Sequence, residues 1–329
     1  MQLANNLFEA KKLEQKPTRD GYGLGLVDAG RADPNVVVLC ADLTESTRSL
    51  GFKKEFPDRF VQIGVSEQSM AVIAAGMALA GKVPFISSYA VFSPGRNWEQ
   101  IRTNIALNDV NVKIAGAHAG VSVGPDGATH QALEDLATMR VMPNMVVLYP
   151  CDAEEARKAT VAAAQYKGPV YLRFAREKSP VLTTPETPFQ IGRAEIFYDS
   201  GQNGRADVAL IACGPLLYEA LLAAEMLRKK KITARVINNH TVKPMDEKTI
   251  IKASRDCGAI VTVEEHQVQG GMGSRVAEIL AAQQPTPMEF VGMQDRYGES
   301  GEPRELLEAF HLTTPWIVKA AVKVLKKKK

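Results

Sequence analysis

What most constrains this chain is an alternation. Short β-branched runs recur along it, and the intervals between them hold amphipathic or Ala-rich stretches of helical length. In the first half, residues 36–40 read as a strand and 67–80 as a helix of small apolar residues, broken by Gly81. Then come a strand at 83–86, a helix at 97–106, a strand at 111–115, a helix at 133–140, a strand at 145–148, a helix at 153–165 and a strand at 170–174. This spacing predicts βαβ units and a doubly wound parallel sheet.

The pattern stops at Ser179-Pro180-Val181-Leu182-Thr183-Thr184-Pro185-Glu186-Thr187-Pro188, which has no apolar period and reads as a linker. It then restarts. Strands are expected at 208–212, 233–237, 259–263 and 288–291, and helices at 216–228, 246–254, 273–282, 303–309 and 314–325. Pro244 should break the chain before a helix capped by Asp246. The expected organisation is a domain over 1–178, a linker over 179–190 and a second domain over 191–329. That agrees with 329 residues at roughly 100–200 per domain.

Composition narrows the class. Hydrophobic residues make up 45% and charged residues 23%, which excludes collagen-like, low-complexity and largely disordered chains. Lys and Arg (40) nearly balance Asp and Glu (37), so no global field calls for nucleic acid. No apolar run approaches the ~20 residues of a membrane span, and the N-terminus lacks a signal-peptide layout. Cys40, Cys151, Cys213 and Cys257 are scattered without a C-x-x-C pair, which suits reduced thiols in the cytoplasm. The run Lys326–Lys329 reads as a solvated tail.

Parallel α/β sheets bind ligands beyond the carboxyl ends of their strands, so chemistry should follow the apolar runs. It does. Ala41-Asp42-Leu43-Thr44-Glu45-Ser46 follows the first strand, Gly64 to Met70 follows residues 61–63, and Ser87 to Phe92 follows the third strand. Glu67 opens a stretch in which residues 68–80 carry no charge, so the helix is expected to be buried with Glu67 at its edge. A carboxylate favoured by the helix dipole would explain it structurally. In dry surroundings a carboxyl also holds a proton more readily unless a cation or donor reaches it, and it can then share that proton with a ligand nitrogen. Two of the five histidines, His118 and His130, bracket a glycine-rich loop that contains Asp126. No cysteine or second carboxylate joins them at metal-ligand spacing. In the second half, Gly270-Gly271-Met272-Gly273 after a strand could hold an anion at a helix start. It lacks the lysine of a P-loop and a full dinucleotide fingerprint, and a structural role fits it better.

Ala-Asp-Leu-Thr-x-Ser, the Gly-x-x-Glu-Gln segment around Glu67, and His118…Gly-Pro-Asp-Gly-Ala-Thr-His130-Gln together resemble the pyrimidine-binding half of transketolases. The second half resembles their C-terminal domain. The resemblance implies a thiamine-diphosphate-binding fold followed by a transketolase C-terminal-like fold. It implies that Glu67 bonds a ring nitrogen of the aminopyrimidine. Asp42, Leu43, Tyr89 and Phe92 would line the cofactor, with a third aromatic wall left unassigned at Ser93-Pro94-Gly95-Arg96. Arg19, Ser46, His118 and Arg176 would hold a sugar phosphate, and Asp126 and His130 its hydroxyls near the reacting carbon. Glu67, His130 and His118 would be the catalytic groups, and the reaction would be transfer of a two-carbon ketol unit from a ketose phosphate to an aldose phosphate.

A complete transketolase-like chain also needs a domain for the pyrophosphate and metal, marked by Gly-Asp-Gly, a string that does not occur here. Only 18 residues precede Arg19. The expectation is therefore a subunit inactive alone, paired with a pyrophosphate-binding subunit that holds Mg2+ or Ca2+, in an α2β2 assembly. The β subunit of a 2-oxo acid dehydrogenase shares the Glu-Gln segment and both domains, but the phosphate set argues for sugar phosphates. A deoxyxylulose-phosphate synthase is a nearer rival, against which Ala-Asp-Leu-Thr-x-Ser weighs. A degenerate paralogue kept for assembly is disfavoured by intact Glu67, His118, Asp126 and His130.

Overall fold

A computed structural model describes residues 2–328. Six strands of the first half form a parallel sheet in the order Val146–Leu148, Val170–Arg173, Lys113–Ala117, Val83–Tyr89, Val36–Cys40, Phe60–Gln62. The inner strands Val36–Cys40, Lys113–Ala117 and Val170–Arg173 are buried along their whole length, as expected of a sheet covered by helices on both faces. A seventh strand, Thr241–Lys243, comes from the second half and pairs antiparallel with Val146–Leu148. The second sheet runs Met288–Met293, Ile260–Gln267, Val208–Ala212, Ala234–Asn238, Glu195–Asp199. Only its last strand is antiparallel. The chain is thus an α/β protein of two parallel-sheet domains, and one apolar cluster runs from Leu39 and Ile114 under the first sheet to Ile211 and Val276 under the second.

Several expected elements fall where the pattern put them. The helices Ala153–Gln165, Pro303–Ala309 and Thr314–Leu325 match their sequence ranges. The helix Glu247–Cys257 is capped by Asp246, whose side chain accepts from the Thr249 amide at 3.1 Å. The helix Thr18–Ala32 was not expected, because it contains Gly21, Gly23, Gly25 and Gly30. Those glycines are where the helix meets its neighbours. A Cβ at Gly21 would lie 1.8 Å from the Ala153 carbonyl oxygen, and one at Gly25 would lie 2.6 Å from Thr160. Close packing against Ala153–Gln165 outweighs the low helix propensity of glycine.

Two expectations need correction. The helix Glu67–Leu79 is not buried all round. Met70, Ala71, Ala74 and Ala75 face the core, but Val72, Ile73 and Leu79 are exposed on the opposite side. Nor is the Pro- and Thr-rich stretch a free tether. Lys178–Pro180 pairs with Gln15–Pro17, and Asp152 accepts from the amides of Leu182 and Thr183 at 2.7 Å each. At the C-terminus, Lys327 pairs with Glu289 at 2.6 Å and Lys328 donates to the Cys257 carbonyl at 2.7 Å, so neither is loose; Lys329 lies outside the described residues. All four cysteines are free and buried. Among the described residues no helix is long and apolar enough to cross a membrane.

Candidate functional site

Parallel pairing puts the carboxyl ends of Val170–Arg173, Lys113–Ala117, Val83–Tyr89 and Val36–Cys40 side by side, next to Phe60–Gln62. The residues that follow these strands are Arg176, His118, Tyr89 with Phe92, Asp42 to Ser46, and Glu67. Residues scattered from Asp42 to Arg176 thereby come to one sheet edge.

The cationic end centres on His118, which is 2% exposed. Arg19 enters from the start of the helix Thr18–Ala32. Its Nη1 donates to the Ser46 carbonyl at 3.0 Å and contacts His118 Nε2 at 3.1 Å. A guanidinium can only donate, so Nε2 accepts and the proton of the neutral ring sits on Nδ1. Burial first, and then the charges of Arg19, Arg176 and Arg48, push His118 down to about 3. It is a neutral imidazole at any working pH. Arg19 is likewise lowered, by burial and by Arg48. His118 Nδ1 and Arg19 Nε are buried without a hydrogen-bond partner. Arg176 donates to the Val123 carbonyl, within the loop that His118 opens.

Aromatic rings join this end to Glu67. Tyr89 lies 3.9 Å from the His118 ring and stacks with Phe92 at 5.9 Å, and Phe92 meets His130 edge-on at 5.6 Å. His130 Nδ1 is engaged by the Thr129 hydroxyl at 2.9 Å. Glu67 is 2% exposed at the start of its helix, and its Oε2 takes Arg96 Nη1 at 2.9 Å. The cation that could reach this carboxyl is therefore Arg96. Asp126 stands at the exposed tip of its loop and makes no hydrogen bond to the other site residues. Asp42 has a φ of 59° and its amide donates to Gln62, while the Leu43 carbonyl accepts from Thr47; neither touches the cluster by hydrogen bond.

The second domain shapes the loop, which the sequence did not reveal. Glu265 Oε1 accepts from the Ser122 amide at 2.6 Å. Gly120 has a φ of 93°, and a Cβ there would lie 2.3 Å from the same oxygen, so only glycine lets the carboxylate in. Gln131 Nε2 donates to the carbonyls of Val121 (3.1 Å) and Glu299 (2.9 Å). Beneath them Arg173 and Asp135 form a fully buried pair at 2.8 Å. The Gly270-Gly271 turn is filled from within: the Glu264 carboxyl accepts from the amides of Met272 (2.7 Å) and Gly273 (2.8 Å). Burial, opposed by those amides, pushes Glu264 up to about 7. The protein's own carboxyl is the group held at this helix start. Among the described residues, no group of three or more His, Cys, Asp or Glu could hold a metal ion.

Fold and site together define an α/β subunit of two parallel-sheet domains with its chemistry on the first. Residues 14–181 match the family "Transketolase, pyrimidine binding domain" and residues 201–317 match "Transketolase, C-terminal domain". The chain is 42% identical to a "Putative transketolase C-terminal section" of Methanocaldococcus jannaschii, over 95% of this chain and 97% of that one. It is 37% identical to a 6-deoxy-6-sulfo-D-fructose transketolase subunit of Clostridium sp., over 98% and 99%. A solved structure described as "Split gene transketolase, inactive beta4 tetramer" superposes with a TM-score of 0.88 at 44% identity, over 95% of this chain and 99% of that one. The chain belongs to the transketolase family, as the C-terminal section of a split transketolase.

Proposed function

We propose that this chain supplies the pyrimidine and sugar-phosphate side of a thiamine-diphosphate-dependent transketolase. It would transfer a two-carbon ketol unit from a ketose phosphate to an aldose phosphate, with a separate subunit holding the pyrophosphate and a Mg2+ or Ca2+ ion. One observation carries the reading: a buried carboxyl, an aromatic face and a cationic cluster lie along adjacent strand ends.

The residues fit the cofactor's ring. Glu67 offers a carboxyl in dry surroundings to a ring nitrogen, and Tyr89 and Phe92 offer aromatic faces. Asp42 and Leu43 would line the same space. When bound, thiamine diphosphate supplies a nucleophilic carbon and an electron sink for breaking a bond beside a carbonyl. The chain's own residues orient and exchange protons. Glu67 shares the proton of the ring nitrogen. Arg19 Nε and His118 Nδ1, two buried donors without partners, suit a phosphate, and Arg176 adds charge. Ser46 lies beside them, its carbonyl already fixed by Arg19. With Nδ1 of His130 engaged by Thr129, its Nε2 is left to polarise a carbonyl or move a hydroxyl proton. Asp126 would come to the substrate hydroxyls from the exposed tip of its loop.

The exposed apolar face of the helix Glu67–Leu79, with Val65 beside it, supports coverage by the partner subunit or a second copy in an α2β2 assembly. Four unpaired cysteines support a cytoplasmic setting. The test is reconstitution. The purified chain, its N-terminal partner, thiamine diphosphate and Mg2+ should convert a ketose-phosphate donor and an aldose-phosphate acceptor, while either chain alone should not. Robust transfer by this chain alone, or none by the complex, would refute the reading.

A further inference from the structure

The strand Val83–Tyr89 leads into a tight turn that ends at Arg96. The Arg96 amide donates to the Phe92 carbonyl at 2.9 Å. A Cβ at Gly95 would lie 2.1 Å from the Val91 carbonyl oxygen, so the turn closes this sharply only because residue 95 has no side chain. Its effect is to fold the Arg96 side chain back over the site. The guanidinium carbon lies 4.6 Å from the centre of the Phe92 ring, and Nη1 lies 2.9 Å from Glu67 Oε2. The carboxyl is 2% exposed, whereas the arginine is 49% exposed and has solvent on its outer side.

These two contacts are the ones the functional reading above assigns to an aminopyrimidine. A flat, nitrogen-rich cation lies on Phe92 and donates to Glu67. A ring cannot occupy the same face and the same carboxyl oxygen together with the guanidinium. We propose that Arg96 is a placeholder for the aminopyrimidine. It keeps Glu67 partnered, and thiamine diphosphate must displace it to bind. The proposal rests on that functional reading. It fills the pocket wall left unassigned at Ser93-Pro94-Gly95 with a displaceable cation rather than a third aromatic.

Competition of this kind lowers apparent affinity by the fraction of protein in which the site is open. If the half-exposed pair is closed about 70–90% of the time, removing it tightens binding about three- to tenfold. The experiment uses the complex of this chain with its pyrophosphate-binding partner in Mg2+, titrated with thiamine diphosphate by calorimetry. Arg96→Ala and Arg96→Gln should each lower Kd about three- to tenfold, and the gap from the native complex should shrink in high salt, which screens a half-exposed pair. Arg96→Lys, the gentlest change, keeps the charge but cannot lie flat on Phe92, and should still bind tighter than the native complex. Equal or weaker binding by the assembled variants overturns the placeholder. The underlying reading fails separately: a native complex that takes up no thiamine diphosphate overturns both, whereas normal uptake with no gain from any Arg96 variant overturns the placeholder alone.

Discussion

Arg173→Leu tests how the second domain holds the loop at residues 118–131. Arg173 is fully buried at the seam between the sheets. Its Nε donates to Asp135 Oδ2 at 2.8 Å, and Nη2 donates to the carbonyls of Ala132 and Glu265 at 3.0 Å each. Its guanidinium carbon lies 4.4 Å from the centre of the Tyr149 ring. Burial alone would raise Asp135, but Arg173, then His266 and the Tyr171 hydroxyl outweigh it and hold the carboxyl below its ordinary value. Leucine would leave that carboxylate buried with only Tyr171 as a donor, and would take one donor each from the Ala132 and Glu265 carbonyls, the first of which keeps the Gly120 amide at 2.9 Å. Breaking a buried pair from one side costs about 3–5 kcal/mol, against the 5–15 kcal/mol of a typical domain. Arg173→Leu should therefore lose about 3–5 kcal/mol in urea unfolding at pH 7, followed by both fluorescence and circular dichroism. The double variant Arg173→Leu/Asp135→Leu removes both charges of the pair, and should be more stable than the sum of the single losses by about 2 kcal/mol or more. Glu265 and Ala132 also flank the loop at residues 118–131, so hydrogen exchange there should quicken before exchange in the outer strands does. A loss below about 1 kcal/mol, or strict additivity, would refute this account of the seam.

Other expectations are quicker to state. Glu67→Gln in the assembled enzyme should cut turnover about 10²–10⁴-fold with assembly intact, measured by donor assay and gel filtration; near-normal turnover would remove its assigned role. His118→Asn should raise the donor KM more than it lowers kcat, and since His118 is neutral down to about 3, the native KM should show no titration of this ring between pH 5 and 8. Acid should destabilise the chain in two stages. Burial holds His118 and His240 at about 3 and His266 at about 4, so the unfolded chain binds more protons and stability falls as pH drops through about 6.5. Glu155 and Glu264, raised to about 7, act oppositely between about 4.5 and 7, so the loss should be shallow there and steep below pH 4.5. Urea midpoints from pH 7 to pH 4 check this, and stability rising below pH 4.5 contradicts it.

What could be read from the sequence was local. The strand Val208–Ala212, the helix Ala153–Gln165 and the Asp246 cap each depend on a few neighbouring residues, and each stood in the pattern. So did the candidate site, because a parallel sheet puts chemistry just after its strands, and Glu67, Tyr89, His118 and Arg176 each follow an apolar run. The rest depended on partners far along the chain. Four glycines in Thr18–Ala32 look like helix breakers until their neighbours are in place: Ala153–Gln165 against Gly21 and Gly25, Arg48 against Gly23, and Phe52 with Phe56 against Gly30. Thr241–Lys243 looks like a turn because its partner strand lies about 100 residues earlier.

Glu265 makes the same point about function. By sequence it belongs to a Glu-Glu-His string in the second domain. In space one carboxylate, Glu264, fills its own domain's glycine turn, and its neighbour Glu265 reaches across the seam to Ser122. Successive residues on a strand point to opposite faces, so one dipeptide can serve both domains at once. This links the stability of the seam to the shape of the loop at residues 118–131. A substitution in the second domain, far in sequence from any site residue, should therefore act on substrate affinity. Glu265→Gln keeps the shape and an acceptor for the Ser122 amide, and should be nearly silent. Glu265→Ala leaves that amide buried without its partner, and should raise the donor KM severalfold while sparing the cofactor's Kd. Equal donor KM values for the two variants would show that the loop does not depend on this contact.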